Sequence, residues 1–157
     1  MIFTGAEIVE TLCELEISHV IWIPDTVIGS WEGDLEEASF NLIRICREGE
    51  AWPLAAGLLL GGAAPIVMMQ TTGLFESGDA LRNVAWDLQA PVFGIIGARN
   101  WLNAESADSA KRFAKPIVDA WDIDCRLIAS RDDRSQLTSH YLHCKNAQKP
   151  GFILLAE

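Results

Sequence analysis

The stretch from Cys46 to Leu88 constrains the fold of this chain more than any other. Its pattern predicts a polar turn, an apolar helix of small residues, a buried strand, a short loop and a second helix, which together form one crossover unit of a parallel sheet. Two polar groups interrupt the apolar sequence, REGE at 47–50 and QTTG at 70–73. Each follows a predicted strand, so we expect both at the carboxyl edge of the sheet, where open α/β sheets bind ligands.

The rest of the chain continues this alternation of strands and helices. The capping-box spacing of Thr4 and Glu7 predicts an opening helix. The pattern predicts helices at Glu76–Leu88 and Ala107–Trp121, and we expect Pro116 to break the second into two pieces. Short apolar strands are predicted at 19–23, 41–46, 64–70, 91–97, 125–129 and 151–155. The fold class is therefore α/β, with three layers and a six-stranded, mostly parallel sheet covered by helices on both faces.

Composition limits the classes of function. The 157 residues fit a single domain, 1–157, with one sizeable core. The net charge of -10 argues against nucleic acid or an anionic membrane as a partner, because both require a basic surface. The four cysteines form no CxxC pair, which predicts free, buried thiols in a reducing cytoplasm. The longest apolar run, Trp52–Met69, contains prolines and glycines and predicts a helix and a strand rather than a membrane span.

Two motifs carry a resemblance to a known family. Glu48 follows a short apolar strand and precedes Gly57 by nine residues, through EGEAWPLAAG, and a second motif, MMQTTGLFESGDALRN, occupies 68–83. Together they resemble the pyrimidine-binding domain of thiamine-diphosphate-dependent decarboxylases. They are most similar to the small alpha subunit of sulfopyruvate decarboxylase and to the related phosphonopyruvate decarboxylases.

The resemblance implies a cofactor site. The glutamate that matches Glu48 hydrogen-bonds a ring nitrogen of the aminopyrimidine of thiamine diphosphate and shares a proton there, which activates the cofactor. The similarity of the second motif to that of the family implies that the pyrimidine side of the cofactor is lined by Gln70, Thr71, Thr72 and Gly73.

The resemblance also implies a substrate site. The position of Asp25, in a turn written Pro24-Asp25-Thr26, faces the substrate in the family and acts in proton transfer. Arg99, in the loop after the fourth strand, matches an arginine that holds a sulfonate, phosphonate or carboxylate group through paired hydrogen bonds. Thr26 is expected to bind the substrate with Arg99.

The residues alone leave other interpretations open. Glu48 and Glu50 are also typical of acids that complement the dipole at a helix start. Threonines after a strand commonly cap the next helix, and an aspartate after a proline is a common turn residue. Most arginines in such loops are solvated and bind no ligand, and this is the alternative interpretation of Arg99. His140, at the third position before His143 on the last predicted helix, has no third distant ligand beside it, so no metal site is predicted in the chain.

The family needs a second domain that the resemblance does not cover. Thiamine-diphosphate enzymes hold Mg²⁺ and the pyrophosphate with a Gly-Asp-Gly motif and a downstream Asn, and this sequence contains neither motif. The resemblance therefore implies a partner beta subunit that carries the pyrophosphate- and magnesium-binding domain, in a dimer-based hetero-oligomer. The expected substrate is a small anionic 2-oxo acid.

Two other classes of function remain as alternatives to this enzyme subunit. One is a non-catalytic α/β binding or assembly subunit that keeps the same fold. The other is a complete small enzyme of flavodoxin-like shape, which is disfavoured because no Gly-rich phosphate loop follows the first strand.

Overall fold

A computed structural model describes residues 2–157 and shows an α/β architecture of three layers. All six strands are parallel, in the order β2-β1-β3-β4-β6-β5. The predicted six-stranded sheet with helices on both faces is therefore confirmed. The strands are β1 His19–Trp22, β2 Asn41–Arg44, β3 Pro65–Gln70, β4 Phe93–Ala98, β5 Asp124–Ile128 and β6 Gly151–Ala156.

Seven α-helices flank these strands within residues 2–157. They are α1 Gly5–Glu14, α2 Glu32–Glu36, α3 Ala51–Leu60, α4 Thr71–Glu76, α5 Gly78–Arg82, α6 Ser109–Ala120 and α7 Arg134–Ala147. Single 3₁₀ turns occupy Ile28–Trp31, Glu48–Glu50 and Arg131–Asp133, and α5 continues into a π-helical turn at Asn83–Asp87. The predicted capping box of α1 is present, with Thr4 and Glu7 bonded to each other's backbone N–H groups. No helix in this part of the chain is both long and apolar enough to cross a membrane.

The core consists of two apolar clusters, one on each face of the sheet. Along β3 the side chains alternate between them, with Ile66 and Met68 in one cluster and Val67 and Met69 in the other. The first cluster is covered by α1, α2 and α7, and the second by α3, α4, α5 and α6. Because the side chains of successive strand residues point to opposite faces, the central strands are buried on both sides, as their continuous apolar sequences indicate.

The helical segment after β3 differs from the prediction. The sequence predicted a loop at 70–73 and a helix from Glu76 to Leu88, whereas α4 begins at Thr71, directly after the strand, and ends at Glu76. The break between α4 and α5 lies at Ser77, whose hydroxyl donates to the Leu74 carbonyl and accepts from the buried indole N–H of Trp52 at 2.8 Å. The bond from the Ser77 hydroxyl to the Leu74 carbonyl competes with the backbone bonds of a continuous helix, and the bond from Trp52 holds α3 against Ser77.

The predicted break at Pro116 is wrong. A single helix, α6, runs from Ser109 to Ala120 with Pro116 inside it. Proline removes the hydrogen bond that the carbonyl of Arg112 would accept, which usually favours a break. Both residues lie on the exposed side of α6, so that carbonyl can bond to water and the helix continues.

All four cysteines are free, but the predicted burial is wrong for two of them. Cys144 is buried and Cys125 is partly buried, whereas Cys13 and Cys46 are exposed. Cys13 lies on the outer side of α1, and Cys46 follows β2, which is an edge strand. An apolar neighbourhood in sequence therefore does not bury a residue on an outer helix face or beyond an edge strand.

Candidate functional site at the carboxyl edge of the sheet

The predicted site residues lie at or after strand ends, and the parallel sheet places them along one edge. The chain leaves β1 toward β2 on one side and leaves β3 toward β4 on the other, although β1 and β3 are neighbours. Such a divergence is a topological switch point, where open α/β sheets form a crevice at the carboxyl ends of their strands. Asp25 follows β1 at this crevice, and Gln70 ends β3.

Glu48 lies in the 3₁₀ turn that leads into α3, and its side chain is half-buried. It packs over Gly73 in α4 so closely that a Cβ atom added at Gly73 would lie 2.6 Å from its Cγ and 2.9 Å from its Oε1. Within residues 2–157 no side-chain hydrogen bond to its carboxylate is formed. The neighbouring acid Glu50 is exposed. The structure therefore sets Glu48 against the second motif and leaves its acceptor oxygens without donors.

Glu76 in α4 anchors the turn that carries Glu48. Its Oε2 accepts the backbone N–H of Gly49 at 2.9 Å, and its Oε1 accepts from the Arg47 guanidinium at 2.9 Å. The sequence analysis missed Glu76, because an acid within a helix gives no signal of a contact 27 positions away. The bond ties the turn to α4 and so fixes where Glu48 meets Gly73.

Asp25 combines a structural role with a free oxygen. Its Oδ1 accepts the backbone N–H groups of Val27 at 2.6 Å and Ile28 at 3.0 Å, which is the expected bonding of a turn aspartate. Its Oδ2 is buried and has no hydrogen-bond partner. Burial raises the pKa of Asp25, although the two backbone bonds and the charge of Arg99 lower it.

Glu157 is the main residue of this edge that sequence reasoning missed. It follows β6, is 9% exposed, and accepts the side-chain amide N–H of Gln70 at 2.8 Å through Oε1. Its Oε2 has no partner and lies where a Cβ atom at Gly97 would be only 2.7 Å away. Burial, and then the charge of Asp25, raise the pKa of Glu157 to about 7. The available signal was the one used for Asp25, an acid just beyond an apolar strand.

The two threonines have different surroundings. Thr71 is fully buried and its hydroxyl donates to the carbonyl of Gly97 at 2.7 Å, so it joins α4 to the end of β4. Thr72 is exposed and its hydroxyl donates to Oε1 of Gln70 at 3.3 Å. Thr26 is exposed in the turn beside Asp25. Of the three hydroxyl groups, those of Thr72 and Thr26 are accessible to a ligand, and that of Thr71 is used within the fold.

Arg99 lies at the rim of the same edge and is paired with Asp108. Its Nε is 2.8 Å from Oδ2 of Asp108, which also caps α6 by accepting the backbone N–H of Ala110 at 2.9 Å. The charge of Arg99 lowers the pKa of both Asp25 and Glu157. The guanidinium is half-exposed and carries positive charge beside two acids.

A second group of potential ligands lies at the opposite edge. Single atoms of Asp124, His140 and Cys144 fall within 4.8 Å of one another near the start of β5. Burial raises the pKa of Cys144 to about 11 and lowers that of His140. Arg126 lies 3.6 Å from the Asp124 carboxylate and already supplies positive charge there. A protonated thiol beside a cationic side chain does not favour a metal ion.

An apolar cavity also lies away from the carboxyl edge. It has a volume of about 470 Å³ and opens at the amino ends of β3 and β4. Its walls are mostly apolar and include Leu59, Leu60, Leu88 and Phe93. Cavity size alone would place a site there. The carboxyl edge instead brings together two acids, Asp25 and Glu157, each with a raised pKa and a buried oxygen without a hydrogen-bond partner, which is the stronger indication of chemistry.

The chain matches no protein-family model, and no curated protein matches it significantly. The function of the edge therefore has to be argued from its residues and from the resemblance of the two motifs.

Proposed function

We propose that this chain is the alpha, pyrimidine-binding subunit of a split thiamine-diphosphate-dependent decarboxylase. Its substrate would be a small anionic 3-substituted pyruvate such as sulfopyruvate or phosphonopyruvate. The observation that carries the proposal is the placement of Glu48, whose carboxylate lies at the carboxyl edge, over Gly73, without a donor from residues 2–157. When bound, the cofactor supplies the electron sink for loss of carbon dioxide.

The residues around Glu48 suit an aminopyrimidine. The ring presents nitrogen atoms and an amino group, so its site needs hydrogen-bonding groups and enough space for a planar ring. Glu48 offers a carboxyl group that can share a proton, and the accessible hydroxyl of Thr72 offers a second polar contact. Gly73 has no side chain to obstruct the space that Glu48 borders. In this role Glu48 holds a proton at its carboxyl group against the ring nitrogen.

The surface next to Glu48 supports a partner subunit. Helix α3 follows the Glu48 turn and contains only apolar residues and glycine. A helix that is apolar all round is normally covered on every side. Here Pro53 and Gly57 are exposed and Leu60 is 89% exposed. A beta subunit that holds Mg²⁺ and the pyrophosphate would cover this face and exclude water from Glu48, which raises the proton affinity of a carboxyl group.

The substrate side of the proposal rests on Asp25, Thr26 and Arg99. Arg99 supplies positive charge at the rim, and a sulfonate or phosphonate group would replace Asp108 as its partner. Thr26 offers an exposed hydroxyl. The free Oδ2 of Asp25 is the position from which a proton would be given to the substrate carbon.

The decisive experiment is to co-express the chain with the product of a neighbouring reading frame that carries the Gly-Asp-Gly motif. Carbon dioxide release from sulfopyruvate and from phosphonopyruvate is then measured with thiamine diphosphate and Mg²⁺. We expect activity only with both chains. Glu48→Gln should lower the rate by at least about 100-fold, the usual range for loss of a proton-transferring group.

Glu50→Gln is the matched control, because Glu50 is an exposed acid in the same turn. It should keep the wild-type rate to within about threefold, as expected of a surface change remote from the reacting atoms. Full activity of Glu48→Gln would overturn the proposal. Stable association of the two chains without any Glu48-dependent activity would favour the non-catalytic assembly subunit.

A further inference from the structure

Two carboxylate oxygens at the carboxyl edge lack any hydrogen-bond partner. Within residues 2–157 the buried side-chain polar atoms without a partner are Oδ2 of Asp25, Oε2 of Glu157 and Nε1 of Trp22. Leaving a buried acceptor unpaired typically costs about 1–3 kcal/mol, so such atoms are rare and commonly mark functional sites. Two of them, on acids whose charges interact, need a common explanation.

Each acid has one anchored oxygen and one free oxygen. Oδ1 of Asp25 accepts two backbone N–H groups, and Oε1 of Glu157 accepts the amide of Gln70 at 2.8 Å. The side chain of Glu157 is 9% exposed and pressed against Gly97, where a Cβ atom would lie 2.7 Å from Oε2. The absence of a side chain at Gly97 is thus what allows Glu157 to occupy this position.

Within residues 2–157, the charged side chains that act on Glu157 follow two of the neighbouring strands. Asp25 after β1 raises the pKa of Glu157, and Arg99 after β4 lowers it. Gln70 from β3 is neutral, and the charge of Arg99 is shared with Asp108 on α6. The negative charge of Asp25 therefore acts on Glu157 and favours a protonated carboxyl group there.

We propose that Asp25 and Glu157 hold one proton between them at neutral pH, with Glu157 as its resting carrier and Asp25 as the group that delivers it. Two carboxylate oxygens cannot hydrogen-bond to each other, whereas one proton turns one of them into a donor and gives the other a partner. Glu157 acts through Asp25 and is a positioning residue rather than one that touches the substrate.

The delivery step rests on the proposed decarboxylase function. The proton passes from Oε2 of Glu157 to Oδ2 of Asp25 and from there to the substrate carbon that has lost carbon dioxide. The electron pair that the departing carbon dioxide leaves on that carbon forms the new carbon–hydrogen bond. Both acids are then carboxylates, and their mutual repulsion draws one proton back from water, which restores the resting pair.

The sharing of the proton can be tested on the chain alone, without cofactor, partner or substrate. The chain is labelled with ¹³C at the glutamate side-chain carboxyl groups and titrated by NMR from pH 4 to 9. We expect one glutamate signal to titrate near pH 7. That signal should be missing in Glu157→Gln, retained in the exposed control Glu105→Gln, and shifted down by about half a unit or more in Asp25→Asn.

The transfer of the proton from Glu157 through Asp25 is tested by measuring the rate of decarboxylation as a function of pH with the partner present. Glu157→Gln should lower kcat about tenfold at pH 7, leave KM within about twofold, and remove the limb of the profile near pH 7. A wild-type chain with no glutamate titrating above about pH 5.5 overturns the inference, as does a signal that persists in Glu157→Gln. A titrating Glu157 in a protein without decarboxylase activity upholds the shared proton and removes only the proposed function.

Discussion

Glu48 and Glu157 are both acids at the carboxyl edge of one sheet, but their surroundings differ. Glu157 is buried, is bonded to Gln70 and has a raised pKa, all within this chain. Glu48 is half-buried, receives no hydrogen bond from residues 2–157, and lies beside helix α3, whose apolar outer face is exposed. The chain thus completes the environment of Glu157 by itself, and under the proposed function a partner completes that of Glu48. Substitutions that act on each acid separately test this difference.

The largest expected effect comes from Gly73→Ala, which acts on Glu48. The added Cβ would lie 2.6 Å from Cγ of Glu48 and would push that side chain toward solvent. We expect decarboxylation with the partner to fall about 100-fold, or about 2.7 kcal/mol. The free energy of unfolding of the isolated chain, measured in urea, should change by less than about 1 kcal/mol, because alanine favours the helix over glycine by about that amount.

Gly33→Ala is the control for this substitution, since it adds the same methyl group in α2, where nothing lies within 4 Å. It should leave activity unchanged. Wild-type activity in Gly73→Ala would show that the position of Glu48 is not important. A large loss of stability would show that Glu48 is as firmly held as Glu157, which would contradict the comparison.

Gly97→Ala acts on Glu157 in the same way, but we expect the effect on stability. The new Cβ would lie 2.7 Å from Oε2, and this side chain is buried and bonded to Gln70, so it cannot move into solvent. Overpacking of this kind typically costs about 1–3 kcal/mol, measurable in urea on the isolated chain. In a Glu157→Ala background the same methyl group should cost less than about 1 kcal/mol. An equal loss in both backgrounds would place the clash elsewhere.

The pH dependence of stability should distinguish Glu157 from a surface acid. Its pKa rises from an ordinary 4.5 to about 7 on folding, so the folded chain holds the proton more tightly than the unfolded chain. The resulting stabilisation is complete below about pH 4.5 and is lost as the pH rises through about 7. Between pH 5 and 8 the wild type should therefore lose on the order of 2–3 kcal/mol of unfolding free energy relative to Glu157→Gln. Parallel curves for the two proteins would contradict the burial of a proton at this residue.

The architecture could be predicted from sequence because its signals are local and repeated. Each of the six strands is a short apolar run beside a helical pattern, and the alternation determines a parallel sheet. The errors arose where tertiary contacts override local preference. The predicted loop at 70–73 is instead the start of α4, where Thr71 bonds to the end of β4, and exposure of Pro116 allows a helix that sequence predicted as broken.

The site was predictable in position but not in detail. The topology of the parallel strands places Asp25 and Gln70 at one edge of the sheet, whatever conformation the loops adopt. The pairing of Gln70 with Glu157 spans 87 positions, and the anchoring by Glu76 spans 27, so neither leaves a periodic signal in the sequence. The rule that an acid after an apolar strand lies at the functional edge would have identified Glu157 had it been applied to the last strand.

The smallest expected effect separates the two neighbouring threonines, whose assigned roles were the same. Thr71→Val removes a buried hydroxyl that donates to the Gly97 carbonyl at 2.7 Å, so it should lower the free energy of unfolding by about 1 kcal/mol. Thr72→Val removes an exposed hydroxyl and should change stability by less than about 0.5 kcal/mol. With the partner present, Thr72→Val should raise the concentration of thiamine diphosphate needed for half-maximal activity by about threefold to tenfold, since one hydrogen bond contributes about 1 kcal/mol. Thr71 supports the end of β4 beside Glu157, and Thr72 is exposed near Glu48. A loss of stability in Thr72→Val, or a weaker affinity for thiamine diphosphate in Thr71→Val, would therefore contradict the difference drawn between the surroundings of Glu157 and Glu48.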